Sequence, residues 1–184
     1  MKKKTLIILA DGFEEIEAVT PIDVLRRLNI DVTVAGLNDD MIKSTRGLVI
    51  KADKLLSAAD NKYDAVVLPG GMPGAEHLAS SSKVRSVVSE TIRGGGIVAA
   101  ICASPALVLG PMGVLDGKIA TCFPGMETNF SAKVKFSRDK VVQDGNIITS
   151  RGPATAFLFA FKIAENLVGK EMADMVAAQM LYGA

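Results

Sequence analysis

Runs of consecutive apolar residues, bounded by turn residues, alternate along the chain with segments of helical periodicity. Strands that are apolar without interruption, rather than at every second position, are typical of a parallel sheet covered on both faces. The pattern therefore predicts an α/β fold. The predicted strands are 5–9, 31–36, 63–68 and one ending at Cys102, followed by shorter strands at 118–122, 140–143 and 146–149. The predicted helices are 14–28, 73–80, 83–93, 153–168 and 170–181.

Composition and charge narrow the class of protein. The 184 residues suffice for one α/β domain with a large core, and no low-complexity linker divides them, so we expect a single domain over residues 1–184. A net charge of +1 gives no electrostatic reason to expect nucleic acid as a partner. No segment reaches the roughly 20 apolar residues of a membrane span, and two cysteines cannot build a disulfide framework for this length. We expect a cytoplasmic protein with no membrane partner.

The most informative segment runs from Gly96 to Pro105, where an apolar strand passes directly into Cys102 and then into a helical pattern. A sharp turn from strand to helix presents one side chain above the sheet edge, which is the geometry of a nucleophile elbow. It also places the thiol near the backbone N–H groups of a helix start, which favour a thiolate. Pro105 suits the first helical turn because its missing N–H needs no partner there. The alternative is a buried cysteine that only packs at a tight junction.

Two further features fall at the same edge of the predicted sheet, where such folds bind ligands. The turn Pro69-Gly70-Gly71 follows a strand, and its glycines let backbone N–H groups approach a ligand or an oxyanion. A tight structural turn explains it equally well. Glu17 lies near the start of the first helix, where a carboxylate is favourable for electrostatic reasons alone. If Glu17 instead reaches Cys102, burial beside a thiolate raises the pKa of Glu17 and keeps it protonated.

The remaining reactive side chains, His77 and Cys122, are weaker candidates for a catalytic or metal-binding role. His77 is the single histidine, and its place on a helix leading away from the site favours a surface position. One histidine and two cysteines give no convincing zinc site, so we expect neither metal nor cofactor. Cys122 precedes Phe123 on a predicted strand, where neighbours face opposite sides. If Phe123 faces the site, Cys122 is a packed core thiol; the alternative is a resolving cysteine.

With Glu17, the Pro69-Gly70-Gly71 turn and the elbow at 99–103, the chain resembles the ThiJ/PfpI superfamily, and within it the branch of the Parkinson disease protein and the YajL-like proteins. The matching segments keep the family's order over nearly the whole chain, which makes the resemblance more specific than any single motif. Further matching segments are 11–18, 23–27, 31–37, 44–47 and 150–153.

The resemblance implies a flavodoxin-like three-layer α/β sandwich of the class I glutamine amidotransferase type, with a mostly parallel central sheet between two layers of helices. It implies that Cys102 is an oxidation-prone thiol of low pKa, hydrogen-bonded to a protonated Glu17. The backbone N–H groups of Gly71 and Ala103 would form an oxyanion or sulfinate cradle. By the same matching, a further set of residues should lie near the pocket or a dimer interface: Gly70, Arg27, Arg46, Phe123, Gly152 and Pro153.

The resemblance also implies a homodimer. The first predicted helix supports this, since it carries more apolar residues than one buried face needs: Ile16, Val19, Ile22, Leu25 and Leu28.

Two departures from the family pattern bear on activity. The peptidase-like members carry a histidine directly after the cysteine, whereas this chain has Ala103, which excludes a Cys–His protease dyad. The human-type protein has a histidine where this chain has Phe123, so the readiest proton shuttle is missing here.

Functions of two different classes follow. The first is a cofactor-free enzyme of the glyoxalase or deglycase type, in which Cys102 adds to a small aldehyde or dicarbonyl substrate and Glu17 moves protons. The second is a redox sensor or chaperone-like oxidative-stress protein whose Cys102 is oxidised to a sulfinate. An enzyme of thiazole biosynthesis is a third possibility, which rests only on the family's older name.

Overall fold

The computed structural model describes residues 2–60 and 62–183. Its centre is a seven-stranded sheet in the order β10-β11-β7-β6-β1-β2-β5. The strands of this sheet are β1 (Lys4–Leu9), β2 (Asp31–Gly36), β5 (Lys54–Leu55), β6 (Ala65–Leu68), β7 (Ile97–Ile101), β10 (Val141–Asp144) and β11 (Ile147–Ser150). Two small two-stranded sheets are formed by β3 (Met41–Lys43) with β4 (Val49–Lys51) and by β8 (Ile119–Ala120) with β9 (Lys135–Phe136).

Five α-helices connect and cover these strands within the described residues. They are α1 (Glu15–Arg27), α2 (Gly74–Ser80), α3 (Ser82–Arg93), α4 (Ala156–Val168) and α5 (Lys170–Gln179). None of them is long and apolar enough to cross a membrane.

The central sheet is parallel except at one edge. Strands β5, β2, β1, β6, β7 and β11 pair in parallel, and β10 pairs antiparallel with β11 through the turn at Gly145. The hairpin predicted around this turn is therefore confirmed. So is the predicted fold class, an α/β sandwich with a mostly parallel sheet.

Helices cover both faces of the sheet, which explains why its strands are continuously apolar. Ile7 and Leu9 belong to the cluster that packs under α1, α4 and α5, whereas Leu6 and Ile8 belong to the cluster under α2 and α3. Successive residues of a strand face opposite sides, so a strand buried on both faces is apolar at most positions, and its few polar residues, such as Thr5 and Thr149, are themselves buried. Every residue of β6 is accordingly buried.

Several local features differ from the sequence prediction, among them the short strands β5 and β9 and the 3₁₀ turn at Pro153–Thr155 in place of a helix start. The residues after the elbow, Pro105–Leu109, form a single π-helical turn in which the N–H of Gly110 donates to the Pro105 carbonyl at 2.9 Å, rather than an α-helix. The β3–β4 hairpin was not predicted, because its strands have only three residues each and carry no long apolar run. Pro105 does occupy the start of its helical turn, as predicted.

Candidate active site at the Cys102 elbow

Cys102 sits at a strained turn directly after β7. Its φ of 66° lies in the left-handed region, which non-glycine residues rarely adopt and which costs about 1–3 kcal/mol. Hydrogen bonds on both sides hold it there: the Cys102 N–H donates to the Ser150 carbonyl at 2.9 Å, and the Phe123 N–H donates to the Cys102 carbonyl at 2.8 Å. The strand–turn–helix geometry predicted for the elbow is present, and it presents a partly exposed thiol.

Glu17 lies in the first turn of α1 and is fully buried. Its Oε2 accepts a hydrogen bond from the N–H of Gly70 at 2.9 Å, and its carboxyl is within hydrogen-bonding reach of the Cys102 thiol. Its Oε1 has no further partner among the described residues. The helix start thus brings a carboxyl group from α1 to the thiol of the elbow, the pairing that the sequence suggested.

Gly70 and Gly71 are required by this arrangement. A Cβ on Gly70 would lie 2.6 Å from Cys102 Cβ and 2.7 Å from Glu17 Oε2, so any side chain there would push the two groups apart. Gly71 has a φ of +90°, which favours glycine. Its backbone N–H and that of Ala103 both interact with the Cys102 sulfur. Both N–H groups thus act on the sulfur, and their role as an oxyanion or sulfinate cradle stays a prediction.

The two reactive groups perturb each other's ionisation. Burial raises the pKa of Glu17 to about 7, against the opposing hydrogen bond from Gly70, as predicted in direction. Burial is also the largest cause of a rise in the pKa of the Cys102 thiol to about 12, and the charge of an ionised Glu17 is the next. The N–H groups of Gly71 and Ala103 offset only part of this rise. The low pKa expected for Cys102 is thus wrong for a thiol that faces a charged Glu17.

A pocket of about 430 Å³ opens above Cys102. Sequence reasoning identified half of its lining, namely Gly71, Cys102, Ala103 and Phe123, and missed the other half: Met72, Pro124, Gly125 and Met126. Pro124 and Gly125 are turn residues directly after Phe123, so the sequence could have indicated that this loop lines the pocket. The described residues contain no group of three or more His, Cys, Asp or Glu that could hold a metal ion.

The other predicted site residues divide into two groups. Gly152 lies against the ring of Phe123, because a Cβ on Gly152 would be 3.4 Å from Phe123 Cδ2, and Pro153 starts the 3₁₀ turn that follows. Arg27 pairs with Asp23 at 2.8 Å on the outer side of α1 and does not line the pocket. Arg46 does not line it either. The predicted place of the two arginines near the pocket or a dimer interface stays a prediction.

An unpredicted carboxylate contact anchors the start of α1. Glu15 accepts hydrogen bonds from Ser44 Oγ at 2.8 Å, Thr45 Oγ1 at 3.0 Å and the Arg46 N–H at 3.0 Å. Desolvation is the largest single cause and raises the pKa of Glu15, but the hydrogen bonds together outweigh it, so the pKa is lowered. The hairpin β3–β4 is thereby tied to the helix two residues before Glu17. The sequence alone could not assign a role to segment 44–47. In the structure its residues hold Glu15 at the start of α1.

Cys122 and His77 lie outside the pocket. Cys122 is fully buried, as expected of a core thiol, and burial, with the nearby Glu127 carboxylate as the next cause, raises its pKa to about 12. His77 is exposed on α2, with Nδ1 3.1 Å from the Asp11 carbonyl oxygen. The predicted surface position of His77 is confirmed.

Comparisons with known proteins agree with the geometry. The model of the DJ-1/PfpI family matches residues 3–166. Protein dj-1beta of Drosophila melanogaster is 47% identical over 184 residues, covering 98% of both chains, and the Parkinson disease protein 7 homolog of Danio rerio is 42% identical over 184 residues, covering 97% of both. The glutathione-independent glyoxalase DJR-1.2 of Caenorhabditis elegans is 34% identical over 172 residues, covering 92% of this chain and 91% of that protein.

The fold matches solved structures equally well. Oxidized DJ-1 of Toxoplasma gondii superposes with a TM-score of 0.95 at 41% identity, covering 99% of this chain and 100% of that one. The family and the branch that the sequence motifs indicated are confirmed.

Proposed function

The chain belongs to the DJ-1/PfpI family, and from this premise we propose that it is a cofactor-free enzyme of the glyoxalase type, acting on small α-dicarbonyls through Cys102 and Glu17. One observation carries the proposal: a fully buried carboxyl group faces a strained, pocket-lining thiol whose sulfur receives two backbone N–H groups. A relative with 34% identity that bears the name of a glyoxalase supports the same reaction class.

The position of one proton decides how this pair would react. Because burial raises the pKa of Glu17 to about 7 and a charged neighbour raises that of Cys102 further, the pair gives up its first proton near neutral pH and retains the second. Two N–H groups favour negative charge on the sulfur, and one favours it on the carboxylate. Oε1 of Glu17 has no hydrogen-bond partner among the described residues, so it is available to carry the remaining proton. We therefore place that proton on Glu17.

The proposed reaction uses these groups in sequence. The Cys102 sulfur adds to the aldehyde carbon of the dicarbonyl, and the aldehyde oxygen takes the proton of Glu17 to give a hemithioacetal. The N–H groups of Gly71 and Ala103 stabilise the oxygen while it is negative. Glu17, now a carboxylate, then takes the proton from the hemithioacetal carbon and returns it to the neighbouring carbonyl carbon, while the hydroxyl proton passes to the oxygen of that carbonyl, which yields a thioester. Water cleaves the carbon–sulfur bond, releases a 2-hydroxy acid and returns Cys102 and Glu17 to their starting state, so that the net reaction converts one dicarbonyl and one water into one 2-hydroxy acid.

The decisive experiment is lactate formation from methylglyoxal without glutathione. We expect activity in the wild type, complete loss in Cys102→Ala and a loss of at least about a hundredfold in Glu17→Gln, since proton transfer contributes about that much. Cys122→Ala is the matched control and should retain full activity. Release of unmodified amine from a glycated amine, with no lactate from free methylglyoxal, would instead indicate deglycation. Absence of both reactions would refute the proposed function.

A second candidate function is redox sensing by the same thiol. Oxidation of Cys102 to a sulfinate would place negative oxygens beside the N–H groups of Gly71 and Ala103, with Glu17 as a donor. A structural relative was solved in an oxidized form, which supports this candidate. Glu17→Asp shortens the reach by one methylene, so we expect the sulfinate to be less stable in that variant. Equal amounts of sulfinate in wild type and Glu17→Asp after mild peroxide would argue against it.

We also propose that the chain forms a homodimer through α1. Ile16 is 50% exposed and Val19 is 41% exposed, although both are apolar and follow each other by three residues on one helix. A second copy of the chain would cover them. Sedimentation should show a dimer at micromolar concentration, and a stable monomer would exclude it.

A further inference from the structure

Ser104 is a fully buried polar residue just after the elbow, and the proposed reaction does not use it. Its Oγ donates a hydrogen bond to the Pro69 carbonyl at 2.6 Å, which ties the elbow to the turn that follows β6. A buried carbonyl needs such a partner, so this contact stabilises the fold in any case. The other side of the same peptide group shows that the contact also acts on the site.

The peptide group between Pro69 and Gly70 connects Ser104 to Glu17. Its carbonyl accepts from Ser104 Oγ, and its N–H donates to Glu17 Oε2 at 2.9 Å. Because the atoms of a peptide group lie in one plane, a contact that fixes the direction of the carbonyl also fixes the direction of the N–H. A donor on the carbonyl polarises the group as well, which strengthens the N–H as a donor by roughly 10–30%. Ser104 therefore acts on Glu17 through one peptide group.

The next peptide group has the same arrangement at the thiol. The carbonyl of Gly70 accepts from the Glu14 N–H at 3.0 Å, and the N–H of Gly71 interacts with the Cys102 sulfur. Here the donor is a backbone group at the start of α1, which a substitution does not remove. At the first peptide group the donor is a side chain, so the arrangement can be tested at Ser104.

We propose that Ser104 is a positioning residue, which holds the Pro69–Gly70 peptide group in the orientation that donates to Glu17 and strengthens that hydrogen bond. The N–H of Gly70 stabilises the charged carboxylate and so opposes the rise that burial causes in the pKa of Glu17. Loss of the Ser104 hydroxyl should therefore raise this pKa further. The inference rests on the Glu17 carboxyl of the proposed function, but it concerns the ionisation of that group and does not require turnover.

The experiment measures the ionisation of Glu17 in the full-length protein carrying Cys102→Ala, which removes the coupled thiol. Carboxyl-carbon NMR identifies Glu17 by comparison with Glu17→Gln, and its signal is followed over pH. We expect Ser104→Ala to raise the pKa of Glu17 by about 0.5, because the N–H of Gly70 becomes a weaker and less well oriented donor. Ser104→Thr keeps the hydroxyl and should restore the original value.

The carbonyl stretching frequency of protonated Glu17 is a second readout, which a purely structural role of Ser104 would not change. A hydrogen bond to a carboxyl oxygen lowers this frequency, so a weaker bond from Gly70 should raise it in Ser104→Ala. Infrared difference spectra at acidic pH, each variant against the same variant with Glu17→Gln, isolate the band.

Thr91→Val is the matched control, since it also removes a buried hydroxyl that donates to a backbone carbonyl. Thr91 Oγ1 donates to the Val87 carbonyl at 2.8 Å on α3, and its methyl group lies near Gly96, at the opposite end of β7 from Cys102. This variant should leave the pKa and the stretching frequency of Glu17 unchanged. No change of either quantity in Ser104→Ala, or equal changes in Thr91→Val, would overturn the inference.

A parallel measurement of turnover, with Cys102 intact, separates this inference from the proposed function. In Ser104→Ala the alkaline limb of the pH profile of lactate formation should move to higher pH, because the variant keeps the Glu17 proton to higher pH. No lactate from the wild type, together with a raised Glu17 pKa in Ser104→Ala, would refute the glyoxalase proposal and leave the role of Ser104 standing. Lactate formation by the wild type with an unchanged Glu17 pKa in Ser104→Ala would do the reverse.

Discussion

The two cysteines of this chain are a natural comparison, since burial is the largest cause of a raised thiol pKa in both, to about 12 for Cys122 and, when Glu17 is charged, to about 12 for Cys102. Each also faces a glutamate, Glu17 beside Cys102 and Glu127 beside Cys122. They differ in backbone and access. Cys102 has a φ of 66° and lines a pocket, whereas Cys122 is fully buried in the core.

The comparison shows that a thiol's pKa alone does not identify a reactive site. What distinguishes Cys102 is a carboxyl group able to exchange a proton with it, two N–H groups at its sulfur and an opening toward solvent. The strained turn supplies all three, because it lifts the side chain off the sheet and toward α1 and the Gly70-Gly71 turn.

The largest effect expected from this difference is in oxidation. Under limited peroxide, the first oxygens should add to Cys102 more than about a hundredfold faster than to Cys122, because exposing a fully buried thiol requires a local opening that costs several kcal/mol. Peptide mass spectrometry over a time course measures both rates. Early modification of Cys122 at a comparable rate would break the comparison.

The next effect concerns the stability that Glu17 contributes. In the folded protein the Glu17–Cys102 pair gives up its first proton near pH 7, whereas a glutamate of ordinary pKa does so near 4.5, so this contribution is fully present below about pH 4.5 and is lost as pH rises through 7. Between pH 5 and pH 8 the wild type should lose up to about 3 kcal/mol of unfolding free energy through this group. Glu17→Gln should lose much less. Urea unfolding at the two pH values measures the difference, and parallel losses in both proteins would show that Glu17 titrates normally.

The fold was predictable to a greater extent than the site. The strands β1, β6 and β7 contain continuous apolar runs, which have few alternatives to a buried parallel strand, and β2 is interrupted only by Asp31 and Thr33. The pairing of Cys102 with Glu17 followed from motifs at the carboxyl ends of strands. Neither the π turn at 105–109 nor the Glu15 contacts with the 44–46 segment could be foreseen, because they depend on which segments meet in space.

The pKa of Cys102 shows most clearly where sequence reasoning stops. A helix start lowers a thiol's pKa and a buried neighbouring carboxylate raises it, and only coordinates show which effect is larger. Similarly, Met72 and Met126 join Phe123 in one pocket although they lie on separate loops. No periodicity in the sequence links them.

A smaller effect is expected when each cysteine is replaced by alanine, on the free energy of unfolding and on lactate formation. Cys122→Ala should reduce the free energy of unfolding by about 1 kcal/mol, a typical value for a modest core truncation, and leave lactate formation unchanged. Cys102→Ala should abolish lactate formation with little loss of stability, because it also removes a buried group that repels Glu17. Chemical unfolding and the lactate assay on both variants test this. Loss of activity in Cys122→Ala without loss of stability would give Cys122 a role that this comparison denies it.

The central claim is that near neutral pH the pair holds one proton, on Glu17, with negative charge on Cys102. Titration of thiolate ultraviolet absorbance in a Cys122→Ala background tests it directly. We predict that the Cys102 thiolate appears in the step near pH 7 and that Glu17→Ala shifts this step to higher pH, since the donor to the sulfur is removed. If no thiolate formed until about pH 12, the value for a thiol facing a charged Glu17, or if Glu17→Ala left the titration unchanged, the account would be contradicted.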